Sequence, residues 1–176
     1  MKTKVILASL LLSLAFISCK KEENKAPEKE IVVNNLKVSL DLVIQKDDSL
    51  QLFYKDDAIP SFDEKNSVWA YVKGSPNSQE VVFTLPEEIF PTSLRFDIGN
   101  KEGQGPVVIN NFKMEYHDKV YKANDSTMTY FLPNDQLKYD AAIKTLTPVK
   151  VKDMPYDPFI YSVDALLAKQ IKLLLK

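Results

Sequence analysis

An all-β fold, an antiparallel β-sandwich with a short C-terminal α-helix, is what this 176-residue sequence predicts. Three observations carry that expectation. From Ile31 onward the apolar residues recur at every second position, the period of a half-buried strand. Turn-forming residues interrupt these runs at short, regular intervals. No strand–helix–strand alternation occurs, which disfavours a doubly wound fold, and no internal repeat is visible.

The elements follow in order. Val38, Leu40, Leu42 and Ile44 alternate with Lys37, Ser39 and Asp41. Lys46-Asp47-Asp48-Ser49 reads as a turn, and residues 50–55 make the next strand, so the pair reads as a hairpin. A loop with Pro60 and acidic residues precedes a strand over 68–73. It carries Trp69 and Tyr71 on one face and Val68, Ala70 and Val72 on the other. Gly74-Ser75-Pro76-Asn77 is a turn. Val81, Phe83 and Leu85 define a strand, and 94–98 alternates up to Gly99-Asn100. Residues 107–116 form a long strand whose parity changes near Asn110-Asn111, the mark of a bulge. His117-Asp118 turns it back through Val120-Tyr121. Further strands are expected at 127–132 and 145–151, and a last one at 157–161. Ser162 is placed to cap a helix over 163–175, with Val163, Leu167, Ile171, Leu174 and Leu175 on one face. That face either packs on the sandwich or meets a partner or membrane surface.

Composition narrows the function. Hydrophobic residues make up 45% and charged residues 27%, the proportions of one globular domain. The net charge of −1 argues against a nucleic-acid partner. A single Cys excludes an intramolecular disulfide and multi-Cys metal sites, and a single His excludes His-pair metal motifs.

The first residues are a targeting segment. Lys2 and Lys4 supply a charged start, and residues 5–18 carry no charge. That stretch is shorter than the roughly 20 residues needed to span a bilayer as a helix. The apolar run stops at Cys19. Phe16-Ile17-Ser18-Cys19 resembles the lipobox of bacterial lipoproteins, in which signal peptidase II cuts before the Cys. Phe16 stands where that family usually has Leu, a position that is loose in Bacteroidota lipoproteins. The resemblance implies a signal peptide over 1–18 and a diacylglyceryl thioether on Cys19, which makes membrane lipid a partner through Cys19. Two or three acyl chains hold stably where one is marginal. Without the resemblance, Cys19 is an incidental thiol at the end of an ordinary signal or a buried one in a retained helix.

Residues 19–30 hold almost nothing apolar and read as a tether. Lys21-Glu22-Glu23 is similar to the export signal of Bacteroidota surface lipoproteins, in which a Lys and two acidic residues follow the Cys. That likeness implies an outer-membrane protein facing the cell exterior. The plainer reading is a solvated linker. The sandwich then covers 31–161 and the helix 162–176.

The run Leu94-Arg95-Phe96-Asp97-Ile98-Gly99, the Gly-containing loop, and Val107-Val108-Ile109-Asn110-Asn111-Phe112 are the most distinctive stretch. They are similar to jelly-roll carbohydrate-binding modules and to sandwich modules beside Bacteroidota polysaccharide enzymes. The likeness implies a jelly-roll-like build for the sandwich and a glycan-binding or spacing module, with no fixed ligand motif to carry over. From the residues themselves, Arg95 and Asp97 share a strand face, either to fork onto sugar hydroxyls or to form a structural ion pair. Trp69, Tyr71 and Tyr54 make either an aromatic platform for a sugar ring or core filling. No cofactor is expected. The acidic pairs Asp47-Asp48, Asp56-Asp57 and Asp63-Glu64 leave a structural calcium open, though the EF-hand spacing is absent. No P-loop, Gly-x-Ser-x-Gly or His-Glu-x-x-His is present, so an enzyme is not expected. The leading expectation is a non-catalytic glycan-binding or envelope module. Docking to another envelope protein is the alternative, and a small hydrolase comes third.

Replacing Cys19 by Ala is expected to abolish metabolic lipid labelling and leave unprocessed precursor on a gel. Unchanged labelling and processing would remove the lipoprotein reading.

Overall fold

The computed structural model describes residues 34–176. The expected signal peptide and tether, with Cys19, Lys21, Glu22 and Glu23, lie outside the described residues. Eleven strands and one helix occur among those described: β1 (Asn35–Val43), β2 (Asp48–Lys55), β3 (Ser67–Val72), β4 (Gln79–Glu87), β5 (Ser93–Asp97), β6 (Val107–Tyr116), β7 (Lys119–Lys122), β8 (Phe131–Pro133), β9 (Leu137–Asp140), β10 (Thr145–Pro148), β11 (Phe159–Ser162) and α1 (Asp164–Leu174). The first sheet has the order β4-β1-β6-β10-β9, with β7 also paired to β6, and the second has the order β3-β2-β5-β11-β8.

Two nested antiparallel ribbons build these sheets. In one, β2 pairs with β3 and β1 with β4. In the other, β5 pairs with β11 and β6 with β10. Pairing of β2 with β5 and of β1 with β6 joins the ribbons. This wrapped nesting is the jelly-roll arrangement, with the last two strands supplied from the C-terminal end.

The period-two pattern drives the closure. Leu36, Val38, Leu40 and Leu42 of β1 are buried against Leu50, Leu52 and Tyr54 of β2 and the inner faces of the other strands. Phe96 of β5 stands edge-on to Phe83 and Phe112 of the opposite sheet, at 5.5 and 6.5 Å between ring centres, and to Phe131 at 5.5 Å. Edge-to-face packing suits the ring quadrupoles and adds to the burial energy.

The expected hairpin between the first two strands does not form. β1 and β2 lie in different sheets, and residues 44–47 carry the chain across the core. A period-two pattern with a turn signal describes a hairpin and an arch equally well, because both put alternate residues inside. The acidic residues at the crossing decide the matter. Asp47 accepts from the Gly74 amide (2.9 Å) and the Lys73 Nζ (2.7 Å). Asp48 is fully buried and accepts from the amides of Ser49 (2.8 Å) and Asn100 (3.0 Å) and from Gln104 Nε2 (2.8 Å). A Cβ at Gly74 would meet the Gln45 carbonyl oxygen at 2.5 Å, so the β3–β4 link can approach the arch only with glycine there.

The bulge falls where the parity change placed it. Asp41 faces Asn111 and Leu42 faces Ile109, which leaves Asn110 as the extra residue. The expected strand at 127–132 is instead a 3-10 turn over Asn124–Thr129 followed by the short β8. Thr127 is buried there. Its Oγ1 accepts from the Phe112 amide and donates to the Asn124 carbonyl, a tie that stands in place of a ladder. The strand β9 was not foreseen, because its one buried side chain, Leu137, shows no period. Ser162 ends β11 instead of capping the helix. Its Oγ accepts from the Leu94 amide and donates to Asp164 Oδ1, both at 2.9 Å. Leu167, Ile171 and Leu174 are buried, so the helix packs on the sandwich. Leu175, expected on the same face, is 41% exposed. No helix among the described residues is long and apolar enough to cross a membrane.

Truncating Phe96 to Ala is expected to cost about 3–5 kcal/mol, measured by urea unfolding, because it leaves a cavity where both sheets meet.

Candidate functional site

The outer face of the second sheet carries the site, and strand parity decides what it displays. Leu50, Leu52 and Tyr54 point inward, so Gln51 and Phe53 of β2 point outward. Pairing then aligns the outward side chains in rows across the sheet. Trp69, Gln51, Asp97 and Phe159 form one row. Ser67, Phe53, Arg95 and Tyr161 form the next. The loop between β2 and β3 folds over this face. Asp56 Oδ1 accepts from the amides of Ala58 and Ile59, and Asp63 Oδ1 accepts from the Lys65 amide at the start of a 3-10 turn, Glu64–Asn66. These side-chain turns hold Phe62 and Glu64 above the sheet.

Between loop and sheet lies an open groove of about 760 Å³, walled by Trp69, Gln51, Glu64, Arg95, Asp97 and Asp157 among others. A second hollow of about 390 Å³ adjoins it and shares Phe62 and Arg95, with Lys55 and Tyr161 at its far side. The groove lies within the size range of small-ligand sites.

Arg95 stands at the centre. Its Nε donates to Asp97 Oδ1 (2.6 Å) and its Nη2 to Asp97 Oδ2 (3.1 Å), a two-pronged pair, and Nη2 also reaches Asp157. The guanidinium is stacked between two rings, 3.8 Å from the centre of Phe159 and 5.2 Å from that of Phe53. Asp97 has its carboxyl pushed up to about 6. Burial is the largest cause. Hydrogen bonds and charge from Arg95 oppose it, and the charges of Asp157 and Glu64 add to the rise.

Of the residues predicted for ligand binding, three meet in the groove: Trp69, Arg95 and Asp97. Trp69 is 51% exposed, so about half of the residue is open to solvent. Arg95 is held by the two carboxylates, so it shapes the groove floor and its paired donors are committed. Tyr71 is 63% exposed but stands outside the groove lining, where its hydroxyl donates to Asp47 Oδ2 (3.1 Å). Tyr54 is 4% exposed and belongs to the core, so the three aromatics do not form one platform. Its inward parity with Leu50 and Leu52 is the reason. Gln51, Glu64, Phe159 and Asp157 were missed. The outward parity of β2 was the available signal for Gln51, while Glu64 and Asp157 arrive from loops whose course no period describes.

Four residues of the acidic pairs accept backbone amides. Asp47, Asp48, Asp56 and Asp63 all accept protein donors, and no group of three or more His, Cys, Asp or Glu among the described residues is placed to hold a metal ion. Comparison with family models, with curated proteins and with solved structures yields no match. What the site does therefore rests on its geometry.

The raised Asp97 carboxyl has a consequence for stability. The folded chain holds this proton more tightly than the unfolded chain. The stabilisation is fully present below about pH 4 and is lost as pH rises through about 6. Carbon-detected NMR titration is expected to place the Asp97 midpoint near 6. In urea unfolding, Asp97→Asn is expected to gain on the parent between pH 4 and pH 7, by at most about 3 kcal/mol.

Proposed function

We propose that this chain is a surface-exposed, lipid-anchored bacterial lipoprotein whose sandwich is a non-catalytic glycan-binding module. One observation carries the reading: a half-exposed Trp69 walls an open groove lined with amide and carboxylate groups. Sugar rings present apolar C–H faces that stack on an aromatic ring, and their hydroxyls need polar partners at the ring's edge. Gln51, Asn100, Glu64 and Asp157 supply these partners beside Trp69. Packing of the helix on the sandwich supports this function over docking through that helix, because Leu167, Ile171 and Leu174 are already covered. The outer-membrane, outward-facing location rests on Cys19 and on Lys21-Glu22-Glu23, with membrane lipid as the partner at Cys19.

A second reading, glycoside hydrolysis, is favoured by one observation. Asp97 and Asp157 converge on one guanidinium, and the Asp97 carboxyl is raised toward the range of a general acid. Against it stands the two-pronged clamp of Arg95, which occupies both Asp97 oxygens and leaves neither free to protonate a leaving group.

A glycan-array screen of the purified protein tests both readings. A saturable hit is expected. Trp69→Ala is expected to weaken it roughly thirtyfold or more, as for a central aromatic anchor. Folding should change by no more than about 1 kcal/mol, because the ring is exposed. Release of reducing ends from the bound glycan would favour the hydrolase. A blank array with folded protein would remove the glycan reading.

A further inference from the structure

We infer that the groove selects sugar chains bearing free amino groups over N-acylated and acidic ones. This rests on the glycan-binding function proposed above and adds the chemical class of the ligand.

The polar inventory of the groove is one-sided. The Nε and Nη2 donors of Arg95 are committed to Asp97 and Asp157. Gln51 is only 3% exposed, and its Nε2 donates to Glu64 Oε2 and Ser67 Oγ, both at 2.8 Å. That orientation is forced, since a flipped amide would set its oxygen against the Glu64 carboxylate. Gln51 Oε1 is therefore an acceptor on the groove wall, and no donor among the described residues reaches it. The carboxylates of Asp63, Glu64, Asp97 and Asp157 outnumber the wall's remaining donors, Arg95 Nη1 and Trp69 Nε1. Asn100 at the rim supplies amide donors for ring hydroxyls.

The charge is equally one-sided. Four carboxylates face one guanidinium, and Asp97 and Asp157 already share it. Glu64 has a neutral amide as its hydrogen-bond partner, and Lys65 reaches Asp63 only at 3.9 Å from an exposed position. The negative charges of Asp157 and Glu64 also help raise the Asp97 carboxyl, a sign of the same local field.

An ammonium group brings three donors and no lone pair. It fits a wall of acceptors, and it is attracted to the face of an indole such as Trp69. An N-acetyl group removes the charge and two of the three donors, and with them the attraction to the carboxylates. A uronic acid sets a further carboxylate against four. The groove thus discriminates through both hydrogen bonding and charge.

Calorimetric titration of the full chain with fully deacetylated glucosamine oligomers, and with N-acetylated oligomers of the same length, tests the inference. The deacetylated chains are expected to bind more tightly and to weaken with added salt, which screens the carboxylates. Glu64→Gln is expected to cost the deacetylated chains about tenfold or more and the N-acetylated ones clearly less, because only the ammonium loses a charge partner. Glu64 sits in an exposed turn, and an unchanged Trp69 emission spectrum checks that the variant is folded. Equal or tighter binding of the N-acetylated chains overturns the inference and leaves the glycan reading intact. So does an equal effect of Glu64→Gln on both ligands, or capture on the array of other glycans only. Failure of every glycan class to bind overturns both.

Discussion

The buried carboxylate of Asp48 is the tie on which the arrangement of this sandwich depends. It sits where the chain leaves one sheet for the other, out of reach of water, and its oxygens are satisfied by the Ser49 and Asn100 amides and by Gln104. A buried carboxylate without such donors is costly, so the arch and the β5–β6 loop must come together for either to be stable. Asp47 makes the matching tie to the β3–β4 link, which Gly74 lets approach. Three connections at one end of the sandwich are thereby held in register. The inner faces can then close around Phe83, Phe96, Phe112 and Phe131.

That closure creates the groove on the opposite face. Once Leu50, Leu52 and Tyr54 are committed inward, Gln51 and Phe53 have no choice but the outer surface. The rows that place Trp69 beside Gln51 and Asp97, and Phe53 beside Arg95, are consequences of strand pairing. Phe53 and Phe159 then cover both sides of the Arg95 guanidinium, a group that tolerates partial burial because its charge is delocalised and its donors are engaged. The result is an acceptor-rich floor of paired side chains beside an exposed indole. Side chains already held by partners lose little conformational freedom when a ligand settles on them.

The electrostatic character of the groove comes from convergence. Asp97 belongs to β5, Asp157 to the segment before β11, and Glu64 to the loop after β2. Each is unremarkable in sequence, and the chain as a whole is nearly neutral. Brought to one wall, they outnumber the single guanidinium between them. This local excess sets the ligand chemistry we propose, and net composition gives no sign of it.

The all-β class, most strand positions, the Asn110 bulge and the β6–β7 turn at His117-Asp118 were legible in the residues alone. Each depends on local alternation or on a turn residue. The meeting of Trp69 with Arg95 and Asp97 was not readable in the same way, although the three were singled out. Their parity was visible, but which strands lie side by side was not. The hairpin expected between β1 and β2 shows why. A period-two pattern states which side chains are buried, and it is silent on whether the next strand pairs beside its neighbour or faces it across the core. Tyr54 went inward and Glu64 and Asp157 entered the groove for the same reason. Alternation is a property of the chain, whereas strand order, loop course and the partner of each buried carboxylate are settled only when both sheets bury their apolar faces together.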